Sequence, residues 1–201
     1  MSERQHVHRT RDAAQCARYD SEGMASKILI QGRPGVGKTT LVRQVAANVT
    51  LAGGFVTEEV RKGGLRVGFQ VEDVVTGATG DLARSGASGG PRVGKYTVDV
   101  ASFERVGVAA LHRALEQRGC VVIDEIGKME LHSQAFSEAV EASFDADKPV
   151  LATIPAHRLS FVERLRTRSG VEVVQITRAN RDELAAQLAQ RLDGQPGSDV
   201  P

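Results

Sequence analysis

Lys27-Ile28-Leu29-Ile30-Gln31-Gly32-Arg33-Pro34-Gly35-Val36-Gly37-Lys38-Thr39 is the stretch on which the fold turns. Its first five residues form a short apolar run that reads as a buried strand, and a helical pattern follows the glycines to about residue 52. Between them, Gly32 to Thr39 satisfies G-x4-G-K-T, the pattern of a phosphate-binding P-loop. Glycines let backbone N–H groups converge on phosphate oxygens, and the helix N-terminus adds a favourable dipole. In such a loop Lys38 reaches the β- and γ-phosphates and the Thr39 hydroxyl coordinates Mg²⁺. The competing reading, a glycine-rich turn that binds nothing, does not explain why a strand precedes the motif and a helix follows it.

A P-loop needs a carboxylate for its magnesium at the end of a neighbouring strand. Cys120-Val121-Val122-Ile123-Asp124-Glu125 supplies one, with four apolar residues leading into two acids. A buried strand here puts Asp124 at the C-terminal edge of the sheet, where open α/β folds bind ligands. Asp124 is then the candidate metal ligand, with Thr39. Glu125, one residue on, is the candidate to orient or deprotonate an attacking water. Without the P-loop, the same two acids would read simply as a solvated strand end.

Working outward, strands and helices alternate. Helices are expected over 103–117, 133–146, 159–167 and 181–192, and strands over 120–126, 149–155 and 171–177. That alternation predicts a three-layer α/β fold: a mostly parallel sheet with helices on both faces. A β-rich region at about 54–100 interrupts the plan. GFVTEEV and LRVGFQVED flank Arg61-Lys62-Gly63-Gly64, a hairpin signature. The glycine-rich stretch 76–95 reads as loose, and YTVDV after it as a strand. Residues 27–192 are thus one domain, with an extension at 1–26, where Met24 is a candidate natural start, and a disordered tail at 193–201.

Composition narrows the function classes. The 26 Lys and Arg against 25 Asp and Glu leave a net charge of +1, so nothing electrostatic points to nucleic acid or an anionic membrane. No apolar stretch approaches the roughly 20 residues that span a bilayer. Of the two cysteines, Cys16 and Cys120, the latter opens an apolar run and reads as a buried thiol. A reducing cytoplasm is the expected compartment.

Four further segments make the match more specific: GGFVTEEVRKGGLRVGFQV at 53–71, GPRVGKYTVDV at 90–100, IDEIGKMEL at 123–131 and TRANRDEL at 177–184. In that order they resemble the thermostable nucleoside-triphosphatase family, relatives of the cancer-related nucleoside triphosphatase. The resemblance spans about 27–192. It implies a RecA-like P-loop NTPase fold and slow, Mg²⁺-dependent hydrolysis of ATP, GTP and other nucleoside triphosphates with broad base tolerance. By position it carries nucleotide binding onto Gly32, Arg33, Pro34, Gly35, Val36, Gly37, Lys38, Thr39 and Thr40, and onto Asp124, Glu125, Ile126, Gly127 and Lys128. The N-terminal extension and the insert ATGDLARSGASGG depart from the family pattern.

Other residues carry weaker signals. Arg61, Arg92 and Lys95 are candidate cations for the charge that develops on the γ-phosphoryl group; solvated loop cations are the alternative. Glu58 and Glu59 alternate across a strand, so one of them faces the nucleotide side. Asn180 has the N-x-x-E spacing of a helix N-cap, and its loop borders the base. His132 and His157 lack metal-ligand spacing. Two rival functions share the cradle: a kinase with Arg61, Arg84, Arg92 and Lys95 on a lid, and a nucleotide-gated switch that regulates a partner. Oligomeric state is not legible in these residues.

Overall fold

The computed structural model describes residues 26–193. The expectations for 1–25 and 194–201, including Met24 and Cys16, lie outside the described residues. Among the described residues the chain forms one nine-stranded sheet in the order β5-β6-β4-β3-β2-β7-β8-β1-β9. The strands are β1 (Lys27–Gln31), β2 (Ala52–Lys62), β3 (Leu65–Asp73), β4 (Thr79–Ser85), β5 (Arg92–Val93), β6 (Tyr96–Val98), β7 (Cys120–Ile123), β8 (Val150–Ile154) and β9 (Val171–Gln175). The helices are α1 (Lys38–Asn48), α2 (Val100–Phe103), α3 (Ala109–Glu116), α4 (Gln134–Asp145), α5 (Ser160–Arg166) and α6 (Arg181–Asp193).

β2, β7, β8, β1 and β9 run parallel. β1, β7 and β8 are buried along almost their whole length because helices cover both faces. α1 and α6 pack on one face over Ile28, Ile30, Val122 and Leu151. α3, α4 and α5 pack on the other over Leu29, Val121, Ile123 and Ala152. There Phe55, Phe103 and Phe136 meet edge to face, with ring centroids 5.3 to 6.0 Å apart. The expected three-layer α/β architecture is therefore the observed one.

Three sequence expectations need correction. The first helix stops at Asn48 rather than about 52, because Ala52 and the two glycines after it belong to β2. Close approach requires both glycines there. A Cβ on Gly53 would stand 2.9 Å from the Ala114 Cβ, and one on Gly54 2.0 Å from the Val122 carbonyl. The stretch 76–95 is not loose throughout: it contains β4, whose Leu82 and Ala83 are buried between β3 and β6. The helix expected from Phe103 begins earlier, with α2, and reaches α3 through a π-helical turn at Glu104–Val108.

The hairpin region is continuous with the main sheet. Ala52 to Phe55 pair in parallel with Cys120 to Ile123, and the same strand then runs on from Phe55 to Lys62 against β3. β2 therefore continues past the C-terminal edge at which β7 ends, and its Glu58 meets Arg43 of α1 there. Beneath the edge, Lys27 Nζ donates to the carbonyls of Ser143, Ala146 and Lys148 at 3.2, 2.5 and 2.5 Å, closing the C-terminal end of α4. Cys120 is buried, which pushes its thiol up to about 12 and leaves it inert.

Candidate active site

The P-loop leaves β1 at Gln31 and enters α1 at Lys38. Gly35 and Gly37 take positive φ values of 73° and 108°, the left-handed region open to glycine. The turn closes with Val36 N–H donating to the Arg33 carbonyl at 3.3 Å. α1 then starts with no side-chain cap and no acid in its first turn. Its leading N–H groups are therefore available to an anion, and the dipole favours one. Arg33, Pro34, Gly35 and Thr40 are exposed, while Val36 and Thr39 are half-buried.

Lys38 is 9% exposed, and its Nζ lies 3.2 Å from Glu125 Oε2 and 3.4 Å from the Gly32 carbonyl. Asp124, at 1% exposure, ends β7. Its Oδ1 accepts from Thr153 Oγ1 at 2.8 Å, and its Oδ2 accepts long contacts from the Thr57 N–H and hydroxyl at 3.4 Å. The peptide between Asp124 and Glu125 is cis. Beyond them Ile126 N–H donates to the Thr153 carbonyl at 2.8 Å, which ties this loop to β8. Gly127 is buried and Lys128 is exposed. The sequence-predicted residues thus converge on one edge of the sheet, apart from Lys128, whose side chain is solvated.

The weaker candidates separate. Arg61 pairs with Glu59 at 2.5 Å and donates to the Gly64 carbonyl, so it is engaged at the hairpin turn. Arg92 lies on β5, the far edge of the sheet, and Lys95 sits over the Tyr96 ring beside it. Neither reaches the P-loop, because β6, β4, β3, β2, β7 and β8 stand between. Glu58 pairs with Arg43 of α1 at 2.6 Å, and Glu59 points away with Arg61 and Arg66. Asn180 is not a side-chain cap. Its Oδ1 turns back to accept from Thr177 N–H at 2.7 Å, and its Nδ2 donates to the Gln175 carbonyl at 3.0 Å. His132 and His157 are exposed.

A family model described as NTPase matches residues 27–189. The chain belongs to this NTPase family. It is 50% identical over 175 residues to nucleoside-triphosphatase THEP1 of Thermofilum pendens, covering 84% of this chain and 96% of that protein. The identity is 46% over 162 residues to THEP1 of Thermotoga petrophila, covering 81% and 90%. The crystal structure of THEP1 from Aquifex aeolicus superposes with a TM-score of 0.75 at 35% identity, covering 83% of this chain and 99% of that one. The solution structure of a human cancer-related nucleoside triphosphatase gives 0.69 at 39% identity, covering 83% and 96%.

Within this NTPase-family chain, several residues at the edge escaped sequence reading. Thr153 and Thr57 are the donors on Asp124. The signal for Thr153 was present, a lone polar residue in the apolar run VLATI. Glu130 is 5% exposed, and burial pushes its carboxyl up to about 8, with the charges of Glu125 and Asp124 adding to the effect. Arg181 lies against Gly37 of the P-loop, a contact that no local pattern announces.

Proposed function

We propose that this NTPase-family chain hydrolyses nucleoside triphosphates, ATP and GTP among them, to the diphosphate and phosphate. Hydrolysis depends on Mg²⁺, tolerates different bases, turns over slowly and takes place in the cytoplasm. The observation that carries the reading is the meeting of Lys38 and Glu125 at the uncapped start of α1, with Asp124 beside them. The relatives, nucleoside-triphosphatases by name, support it.

The P-loop amides and Lys38 would bind the phosphates. Incoming γ-phosphate oxygens take over Lys38 from Glu125, which frees the carboxylate to accept a hydrogen bond from the attacking water and then its proton. The water oxygen bonds to the γ-phosphorus as the bridging bond to the β-phosphate breaks, and the nucleoside diphosphate leaves. The donor set fits magnesium. The Thr39 hydroxyl has no protein partner among the described residues, and Asp124 is a buried carboxylate held by two threonines. No cluster of three or more His, Cys, Asp and Glu competes among the described residues. Magnesium binds in this way, through one or two protein oxygens plus phosphates and water. When bound, it neutralises the charge between β- and γ-phosphates.

Slow turnover follows from the dispersal of the candidate cations. Arg61 is held by Glu59, and Arg92 and Lys95 lie across the sheet. The same dispersal weakens the kinase reading, which needs those cations on a lid over the site. Phosphate release from ATP, GTP and CTP with Mg²⁺, measured beside Glu125→Gln, tests the proposal. Slow release from all three that the variant loses is the expected result; tight nucleotide binding without release would overturn it.

A further inference from the structure

The P-loop divides the C-terminal edge of the sheet. On one side stand β8 and β7 with Thr153, Asp124 and Glu125; on the other stand β9 and the loop that leads into α6. Lys38 turns toward Glu125, so the γ-phosphate end of a bound nucleotide belongs on the β7 side. A triphosphate laid along the loop from there carries its ribose and base toward β9 and α6.

That side is built before any ligand arrives. Ile176 is buried and presses on the P-loop: a Cβ at Gly32 would stand 2.5 Å from its Cγ2. Asn180 braces the turn by bonding to both Thr177 and Gln175. Arg181, the next residue, reaches Gly37 from the α6 side. Its Cδ and Nη1 both lie 3.4 Å from where a Gly37 Cβ would stand. The side chain is 43% exposed, and its ion pair is a 3.4 Å contact with an Asp182 that is itself 81% exposed. Such a pair restrains little, so the guanidinium is free to take a ligand.

We propose that Arg181 is the nucleobase platform of this site, its guanidinium plane stacking on the base of the bound nucleotide; this rests on the nucleoside-triphosphate reading above. The phosphates already have the α1 amides and Lys38 on the Glu125 side, whereas Arg181 stands on the opposite flank. A guanidinium is planar, delocalised and weakly hydrated, and it stacks on π-faces. Every base offers such a face, so stacking binds purines and pyrimidines alike. Broad base tolerance and a real contribution from the base then come from one residue.

The test is calorimetric titration of the full chain with ADP, with GDP and, separately, with inorganic pyrophosphate, all with Mg²⁺, for wild type and three variants. Arg181→Ala is expected to weaken ADP and GDP about tenfold and to leave pyrophosphate unchanged. Arg181→Lys keeps the charge without the plane and is expected to match the alanine variant. Arg181→Tyr, which restores a stacking face without charge, is expected to recover ADP to within about threefold of wild type. Equal weakening of pyrophosphate, or wild-type ADP binding by the lysine variant, overturns the proposal. Phosphate release from ATP is read independently: a wild type that binds ADP but releases nothing fails the hydrolase reading alone, while these ratios still decide Arg181.

Discussion

Lys38 Nζ and Glu125 Oε2 are 3.2 Å apart, so the cation of the P-loop and the acid that follows β7 are each other's partner. The lysine is nearly buried, whereas Glu125 is 29% exposed. The carboxylate is therefore the more exposed member, and on the proposed mechanism a phosphate that displaces it from Lys38 would leave it beside the γ-phosphorus. On the proposed mechanism, binding and activation would be coupled through a single exchange of partners.

The two members are expected to fail differently when replaced. Lys38→Ala would remove the proposed phosphate ligand, so both nucleotide affinity and turnover are expected to be lost. Glu125→Gln keeps the shape and frees Lys38 from a competing charge, so affinity is held or improved. Its turnover falls by roughly 10²–10⁴, the usual loss with a general base. Equilibrium binding and single-turnover hydrolysis on the two variants separate these outcomes. Hydrolysis by Glu125→Gln at the wild-type rate would remove Glu125 from the mechanism.

Thr153 donates to Asp124 Oδ1 from a position with no solvent access, and it orients the carboxylate that would face magnesium. Thr153→Val retains the volume and deletes that donor. The magnesium concentration for half-maximal activity is expected to rise about 10–100-fold, as for lost outer-shell partners. At saturating magnesium the rate returns toward wild type. A loss of rate that magnesium cannot rescue would mean that Thr153 acts on something other than the metal ligand.

How far the sequence could be read depended on how locally each feature is encoded. The strand, glycine turn and helix of 27–48 are contiguous, and the apolar run before Asp124 states its own burial, so both were legible. The hairpin was legible for the same reason, its glycines sitting between two alternating strands. The start of β2 at Ala52 was not legible, because the close approach that Gly53 and Gly54 permit is to Ala114 and Val122, which are distant in the chain. β4 was hidden by flanking glycines, and its burial is conferred by its neighbours β3 and β6. Arg181 marked a helix start, but nothing periodic could say that this start returns to Gly37.

Gly54 offers a direct check on that long-range constraint. Its φ is +119°, and a Cβ would meet the Val122 carbonyl at 2.0 Å, inside the β2–β7 pairing that sets Thr57 beside Asp124. Neither the dihedral nor the backbone contact can relax without separating the strands. Gly54→Ala is expected to destabilise the fold by about 3 kcal/mol or more. Chemical denaturation measures it, and a loss below about 1 kcal/mol would show that the strands yield more easily than this packing allows.

Glu130 makes stability depend on pH in a direction unlike that of a paired surface acid. Burial holds its carboxyl up at about 8, against a reference of 4.5 for an unpaired glutamate. Between those values the folded chain keeps a proton that the unfolded chain has released. The contribution is therefore complete below about 4.5 and is lost as pH rises toward about 8. Glu130→Gln has no proton to lose and keeps the size of the neutral acid, so its stability should not share this fall. Urea denaturation at about pH 5 and about pH 8 should show wild type losing about 3 kcal/mol more than the variant across the interval. Parallel losses in the two proteins would mean that Glu130 is already ionised in the fold, and that the loop bearing Glu125 tolerates a buried charge beneath it.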